Sequence, residues 1–312
     1  MRVVFFGTPD FAVESLDAIM QSSRHEVAAV VTVPDRQAGR GQKMIFSPVK
    51  QYALDHNLPL LQPEKLRDAE FLSALADFGA DIFVVVAFRM LPEVVWAMPP
   101  HGTFNLHASL LPRYRGAAPI NWAIINGERE TGVTTFLLNH HIDEGAILFH
   151  ESTPIAPDET AGSLHDRLAA MGRGLVVRTL DALEDGTAQP VPQQGNACPA
   201  PKIFKEDCRI DFSRTSAEVD RHVRGLSPYP AATMTLCPPQ GDEVLFKVYE
   251  VEPQKASESI PGQVICDGKK VLKVGTADGF VKIISLQMSG KKRNTIEDFL
   301  RGNQLINWKL VL

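Results

Sequence analysis

The run Asn105-Leu106-His107-Ala108-Ser109-Leu110-Leu111-Pro112-Arg113-Tyr114-Arg115-Gly116-Ala117-Ala118-Pro119 places an amide and an imidazole two residues apart, between a strand-like stretch and a helix-like one. If residues 102–107 are extended, Asn105 and His107 share one face, because strand side chains alternate with period two, and Leu106 points the other way into the core. An amide can donate to a developing oxyanion, and an imidazole can donate a proton or a charged hydrogen bond. For an arbitrary pair, a turn asparagine and a packed histidine is the simpler reading. The continuation of this sequence reverses that preference.

Such residues need a frame. The first half of the chain alternates short apolar runs with amphipathic segments, the pattern of a parallel sheet covered by helices. Strands are expected near residues 3–6, 27–32, 82–86, 103–106 and 134–138, and helices near 11–20, 48–56, 71–78, 119–126 and 163–183. Ser47-Pro48 is a good helix start, since serine caps free amides and proline is tolerated at the first helical position. Gly7-Thr8-Pro9 follows the first strand but has no GxGxxG spacing, which disfavours a dinucleotide-binding oxidoreductase. The stretch 186–201, with Pro190, Pro192, Pro199 and Pro201, reads as a linker. Beyond it, β-rich runs at 232–236, 244–251, 263–265, 270–274 and 280–286 suggest a small five-stranded barrel. Strand counting alone could equally describe a small sandwich. The expected fold class is therefore α/β, a doubly wound, mostly parallel sheet domain followed by a smaller OB-like β-barrel. The expected boundaries are 1–188 for the catalytic domain, 189–204 for the linker and 205–312 for the C-terminal domain.

With 312 residues, 44% hydrophobic and 22% charged, the chain has room for two domains. No run is long and apolar enough to span a bilayer, so a soluble, cytoplasmic protein is expected, with no membrane partner. Cys198, Cys208, Cys237 and Cys266 form no CxxC pair, and the adjacent His140 and His141 would point to opposite faces of a strand, so no metal site is signalled. The charge is uneven. Residues 1–200 carry 15 Lys and Arg against 23 Asp and Glu, a net of −8, whereas residues 201–312 carry 17 against 14, a net of +3. Lys269, Lys270, Lys273, Lys282, Lys291, Lys292 and Arg293 face a single Asp278 in 269–293, a footprint suited to a polyanion or to a solvated lysine-rich surface. The loop Pro34 to Lys43, continued to Lys50, carries four positive side chains against Asp35, with glycines that make it deformable.

Asn-x-His-x-Ser-Leu-Leu-Pro followed by Arg-x-Arg-Gly-Ala-Ala-Pro, with Ile142-Asp143-Glu144-Gly145 downstream, resembles the folate-dependent formyltransferases. Within that superfamily the chain is most similar to the methionyl-tRNA formyltransferases. Further matches are Phe6-Gly7-Thr8-Pro9-Asp10-Phe11, Pro34-Asp35-Arg36 through Gly39-Arg40-Gly41 to Ser47-Pro48-Val49-Lys50, Lys205-Glu206-Asp207, and Ser285-Leu286-Gln287 with Gly290-Lys291-Lys292. The resemblance spans nearly the whole chain.

It implies transfer of the formyl group of 10-formyltetrahydrofolate to the α-amino group of methionyl-initiator tRNA, with no metal and no obligate protein partner. Asn105, His107 and Asp143 would be catalytic, the last on the resemblance more than on its residue type, since Ile-Asp-Glu-Gly otherwise reads as a turn. The folate would lie against Ser109, Leu110, Leu111 and Pro112 and against Phe88, Arg89, Met90 and Leu91. There the chain departs from the family, which commonly has Ala-Tyr-Gly before an apolar triplet. Arg36, Arg40 and Lys43 would form a mobile RNA-contacting lid, and Lys291, Lys292 and Arg293 a second RNA contact. Enzymes that formylate glycinamide ribonucleotide or a nucleotide sugar share Asn105, His107 and Asp143. The basic loop and the C-terminal domain favour tRNA.

Overall fold

Arg2–Gly7, Glu26–Val31 and Ile82–Val86 are runs of Val, Ile, Phe and Ala buried on both faces, as central parallel strands must be. They form the middle of a seven-stranded sheet in the computed structural model, which describes residues 1–38 and 43–311. The spatial order is Ile147–Pro154, Glu130–Leu137, Thr103–His107, Ile82–Val86, Arg2–Gly7, Glu26–Val31 and Leu60–Leu61. The five from Thr103–His107 onward are parallel, and the first two are antiparallel additions at one edge. From Arg2–Gly7 the chain first builds toward one edge and then returns to the other side. The order therefore reverses beside the central strand, where open α/β sheets bind ligands at their carboxyl ends.

Both faces of the sheet are covered. Phe71 and Leu75 of helix Ala69–Asp77 join one core cluster with Val4, Phe6, Phe83 and Val85. On the opposite face, helix Ala161–Glu184 crosses Leu106 at Gly172, where an added Cβ would lie 2.5 Å from Leu106 Cδ2. Glycine at 172 is what lets that helix sit against the strand. Because Leu106 is committed to this face, Asn105 and His107 are turned to the other. Helix Pro48–Asp55 starts as its sequence implies, with the Ser47 side chain accepting from Lys50 N and Pro48 in the first turn.

The chain divides into two compact units, one of Met1–Gly116, Glu130–Pro154 and His165–Ala200, the other of Ala117–Arg129, Ile155–Leu164 and Pro201–Leu312. The proline-rich stretch expected as a linker carries structure. Val191 pairs with Ile147, and Cys198–Ala200 forms a parallel strand with Arg113–Gly116.

In the second unit an antiparallel, nearly closed barrel runs in the order Val264–Cys266, Leu272–Thr276, Gly279–Met288, Val244–Lys255, Ala232–Cys237, Lys309–Leu310, with Asn294–Thr295 added on Gly279–Met288. All five expected strands are present, and two short ones were not anticipated. Helix Ser216–Leu226, also not anticipated, lays Val219, Val223 and Leu226 on the core formed by Phe246, Val248, Val281 and Ile283. Its start is a reciprocal capping box between Thr215 and Glu218. Among the described residues no helix is long and apolar enough to cross a membrane.

Candidate active site

Strand Thr103–His107 ends at the carboxyl edge of the sheet, and its alternation turns Asn105 and His107 to one side. Asn105 lies in register between Val85 and Phe136. Its Oδ1 is sealed from water and has no hydrogen-bond partner among the described residues. Buried polar atoms are nearly always paired, and leaving one unpaired costs about 1–3 kcal/mol. Oδ1 is the accepting end of this amide, and Nδ2 is the end that can donate to a ligand.

His107 is buried, and its Nε2 lies 2.8 Å from the Tyr114 carbonyl. A carbonyl only accepts, so Nε2 carries a proton and Nδ1 is the open ring atom. Facing Nδ1 is Asp143 Oδ2 at 3.9 Å, beyond a direct hydrogen bond and close enough for one shared polar atom to bond both. The same carboxylate oxygen accepts from Gly116 N at 2.9 Å. Tyr114 and Asp143 have φ of +60° and +54°, the left-handed region that costs a non-glycine residue about 1–3 kcal/mol. Two strained residues thus fix what each ring nitrogen faces, Tyr114 at Nε2 and Asp143 at Nδ1. Gly145 completes the turn because an added Cβ would fall 1.5 Å from the Leu137 carbonyl oxygen.

The structure brings His107 and Asp143 together and sets Asn105 on the same strand face. Tyr114 and Gly116 stand inside the Arg-Tyr-Arg-Gly run but had no role read from sequence, since both act through the backbone. Among the expected folate contacts, Ser109 Oγ is spent on the Arg113 carbonyl at 2.6 Å, and the Ser109 carbonyl accepts from Thr134 Oγ1 at 2.6 Å. Leu91 and Leu111 are buried, whereas Met90 is 74% exposed and Leu110 and Pro112 are partly exposed, leaving the last three as available apolar surface. Phe88 packs edge-on against Phe6. Arg89 donates to the Pro63 and Glu64 carbonyls, and burial lowers its pKa. Its Nε is buried without a partner.

Of the expected RNA contacts, Arg36 is exposed, Arg40 lies outside the described residues, and so does the side chain of Lys43. Lys50 is not a free cation. Its Nζ bonds Asp35 Oδ2 at 2.5 Å, and together with Gln62 it holds the Asp35 carboxyl below the usual carboxylate range. Lys291, Lys292 and Arg293 are all exposed. Arg293 is nonetheless pinned, with its guanidinium 4.4 Å over the Tyr249 ring and Nε donating to Ser285 Oγ at 2.8 Å. His140 is exposed, 3.6 Å from Glu93 and edge-on to Trp96.

Residues 1–180 match the formyl transferase family and residues 202–304 the formyl transferase C-terminal domain. The methionyl-tRNA formyltransferase of Bacteroides fragilis is 53% identical over 311 residues, covering 98% of this chain and 96% of the relative. The chain belongs to the methionyl-tRNA formyltransferase family. Another member, from Flavobacterium johnsoniae, is 47% identical over 97% of this chain and 96% of its own. Among solved structures, the sugar 3N-formyl transferase WlaRD, crystallised with dTDP and 5-N-formyl-THF, matches with a TM-score of 0.63 at 21% identity over 94% of this chain and 99% of its own. HypX from Aquifex aeolicus in complex with tetrahydrofolic acid matches with a TM-score of 0.64 at 20% identity, over 100% of this chain and 51% of its own. At these identities the two structures share the fold of the family. Membership makes the chain a folate-dependent formyltransferase.

Proposed function

We propose that this chain moves the formyl group of 10-formyltetrahydrofolate to the α-amino group of methionine esterified to initiator tRNA, giving formylmethionyl-tRNA for translation initiation in the cytoplasm. The observation that carries the choice of acceptor is 53% identity across 98% of the chain with a methionyl-tRNA formyltransferase. The folate fits the site's chemistry, since Asn105 sits on the His107 face of its strand with an amide Nδ2 able to donate to a formyl oxygen. When bound, it supplies an activated formyl carbon.

Residues of this chain do the rest. The Asn105 amide donates to the oxygen that gains charge as the amine attacks. His107 Nδ1, left open by the bond from Nε2 to the Tyr114 carbonyl, accepts the proton released by the attacking nitrogen and passes it to the departing nitrogen. The Asp143 carboxylate, 3.9 Å from that ring nitrogen, stabilises the imidazolium that forms between the two transfers. No covalent enzyme nucleophile is needed. Leu110, Pro112 and Met90 offer the apolar surface for the folate rings. Catalysis is assigned to residues 1–188, with 189–204 connecting to a tRNA-binding domain at 205–312. Arg36, Arg40 and Lys43 would meet the acceptor end, and Lys291, Lys292 and Arg293 the phosphate backbone.

The deciding experiment is a formyl-transfer assay with labelled donor, comparing methionyl-initiator tRNA, glycinamide ribonucleotide and an amino sugar nucleotide. Transfer to the tRNA alone is expected. Faster transfer to either small molecule would overturn the reading.

A further inference from the structure

Gln193 lies in the proline-rich stretch that the sequence marks as connecting chain, yet every hydrogen-bonding position of its side-chain amide is used. Nε2 donates to the Asp143 carbonyl at 2.8 Å and to the Gly145 carbonyl at 2.9 Å. Oε1 accepts from Arg115 Nε at 3.1 Å and Nη2 at 2.7 Å. The orientation of this amide is forced, because one side meets only acceptors and the other only donors. Arg115 in turn bonds Glu144 at 2.9 Å, and Gly116 N holds the Asp143 carboxylate. The turn Asp143-Glu144-Gly145 is thus gripped through its carbonyls by Gln193 and through its side chains by Arg115 and Gly116. Gln193 is itself anchored, by the Val191 pairing with Ile147 on one side and the strand Cys198–Ala200 on the other.

We infer that Gln193 is a positioning residue for formyl transfer, holding the strained Asp143 so that its carboxylate stays opposite His107 Nδ1. The inference rests on the role given to Asp143 above. Gln193 spends its amide on Arg115 and on the Asp143 and Gly145 carbonyls, so its effect passes through the turn. A turn released at two carbonyls lets the carboxylate drift, and displacement of a reacting group by about an ångström costs up to about a hundredfold in rate.

The test is single-turnover transfer in the full chain with Gln193→Ala, Gln193→Glu and Asp143→Ala, and with Gln193→Ala combined with Asp143→Ala. Gln193→Glu keeps the size and the Arg115 partner but sets a carboxylate against two carbonyls, so it carries the test should Gln193→Ala fail to fold. Both single Gln193 variants should slow transfer about tenfold to a hundredfold, with KM for tRNA and folate changed only a few-fold. In the Asp143→Ala background, Gln193→Ala should add little, because the group it positions is gone. Wild-type rates in Gln193→Glu, or losses that multiply in the double variant, would overturn the inference while leaving Asp143 catalytic. A wild-type rate in Asp143→Ala would instead overturn the reading beneath it.

Discussion

His107 Nε2 and the Tyr114 carbonyl are 2.8 Å apart, and this bond decides which ring nitrogen works. If Nδ1 is the working atom, His107→Asn, whose amide reaches the δ position, should retain more transfer activity than His107→Gln, whose amide reaches the ε position. Both should fall by about a hundredfold or more relative to wild type, the loss expected for an acid-base group. Single-turnover rates would check the order. A faster Gln variant would reassign the chemistry to Nε2.

Asn105 predicts a separation of activity from stability. Asn105→Ala should lower turnover about a hundredfold or more, as removal of an oxyanion donor does. Its thermal midpoint should be unchanged or raised, because the wild-type protein already holds a buried, unpaired atom there. A large drop in midpoint would show that the amide braces the fold.

The hairpin after Gly279–Met288 should contact RNA mainly as charge. Replacing Lys291 and Lys292 together by Ala should weaken binding to initiator and elongator tRNAs alike. It should also reduce the slope of log affinity against log salt by about 1 to 2. Arg293→Lys should leave that slope in place, since it keeps the charge while losing the planar seat on Tyr249 and the Nε bond to Ser285. Salt titrations of tRNA binding would separate the two. An unchanged slope in the double lysine variant would remove this surface from the interface.

Acid should destabilise the second unit through His222. Burial holds its pKa below the ordinary value of 6.5, so as pH falls through that value the unfolded chain takes up a proton before the folded one does. The stability is complete above about pH 7 and is lost as pH falls from there toward the lowered folded value. His222→Gln should therefore show a shallower loss of denaturation midpoint between about pH 7.5 and 5 than wild type. Parallel curves would assign the acid sensitivity to other groups.

Much of the chemistry was legible because it rests on local periodicity. Strand alternation alone sets Asn105 and His107 together and sends Leu106 to Gly172, and Ser47-Pro48 announces its helix. One missed element, helix Ser216–Leu226, had a readable signal. Thr215-Ser216-Ala217-Glu218 is a capping box, and Val219, Val223 and Leu226 repeat at helical spacing. Strand Ile147–Pro154 was harder, since it lies at the sheet edge and exposes His150, Glu151 and Ser152 in succession, which blurs any alternation. Gln193 could not be found locally at all, because its partners lie 48 to 78 residues away and its own neighbours are prolines and polar residues.

The parallel pairing of Cys198–Ala200 with Arg113–Gly116 also governs where this chain can be divided. A fragment ending at 188 would keep every residue assigned to catalysis and still discard the partner of the strand that bears Tyr114 and Gly116, together with Gln193. A fragment ending just past Ala200 would retain both. Truncation sites chosen from prolines alone would therefore cut away the scaffolding of the reaction centre, and an inactive shortened product would report a misplaced scissor rather than a second unit essential to chemistry.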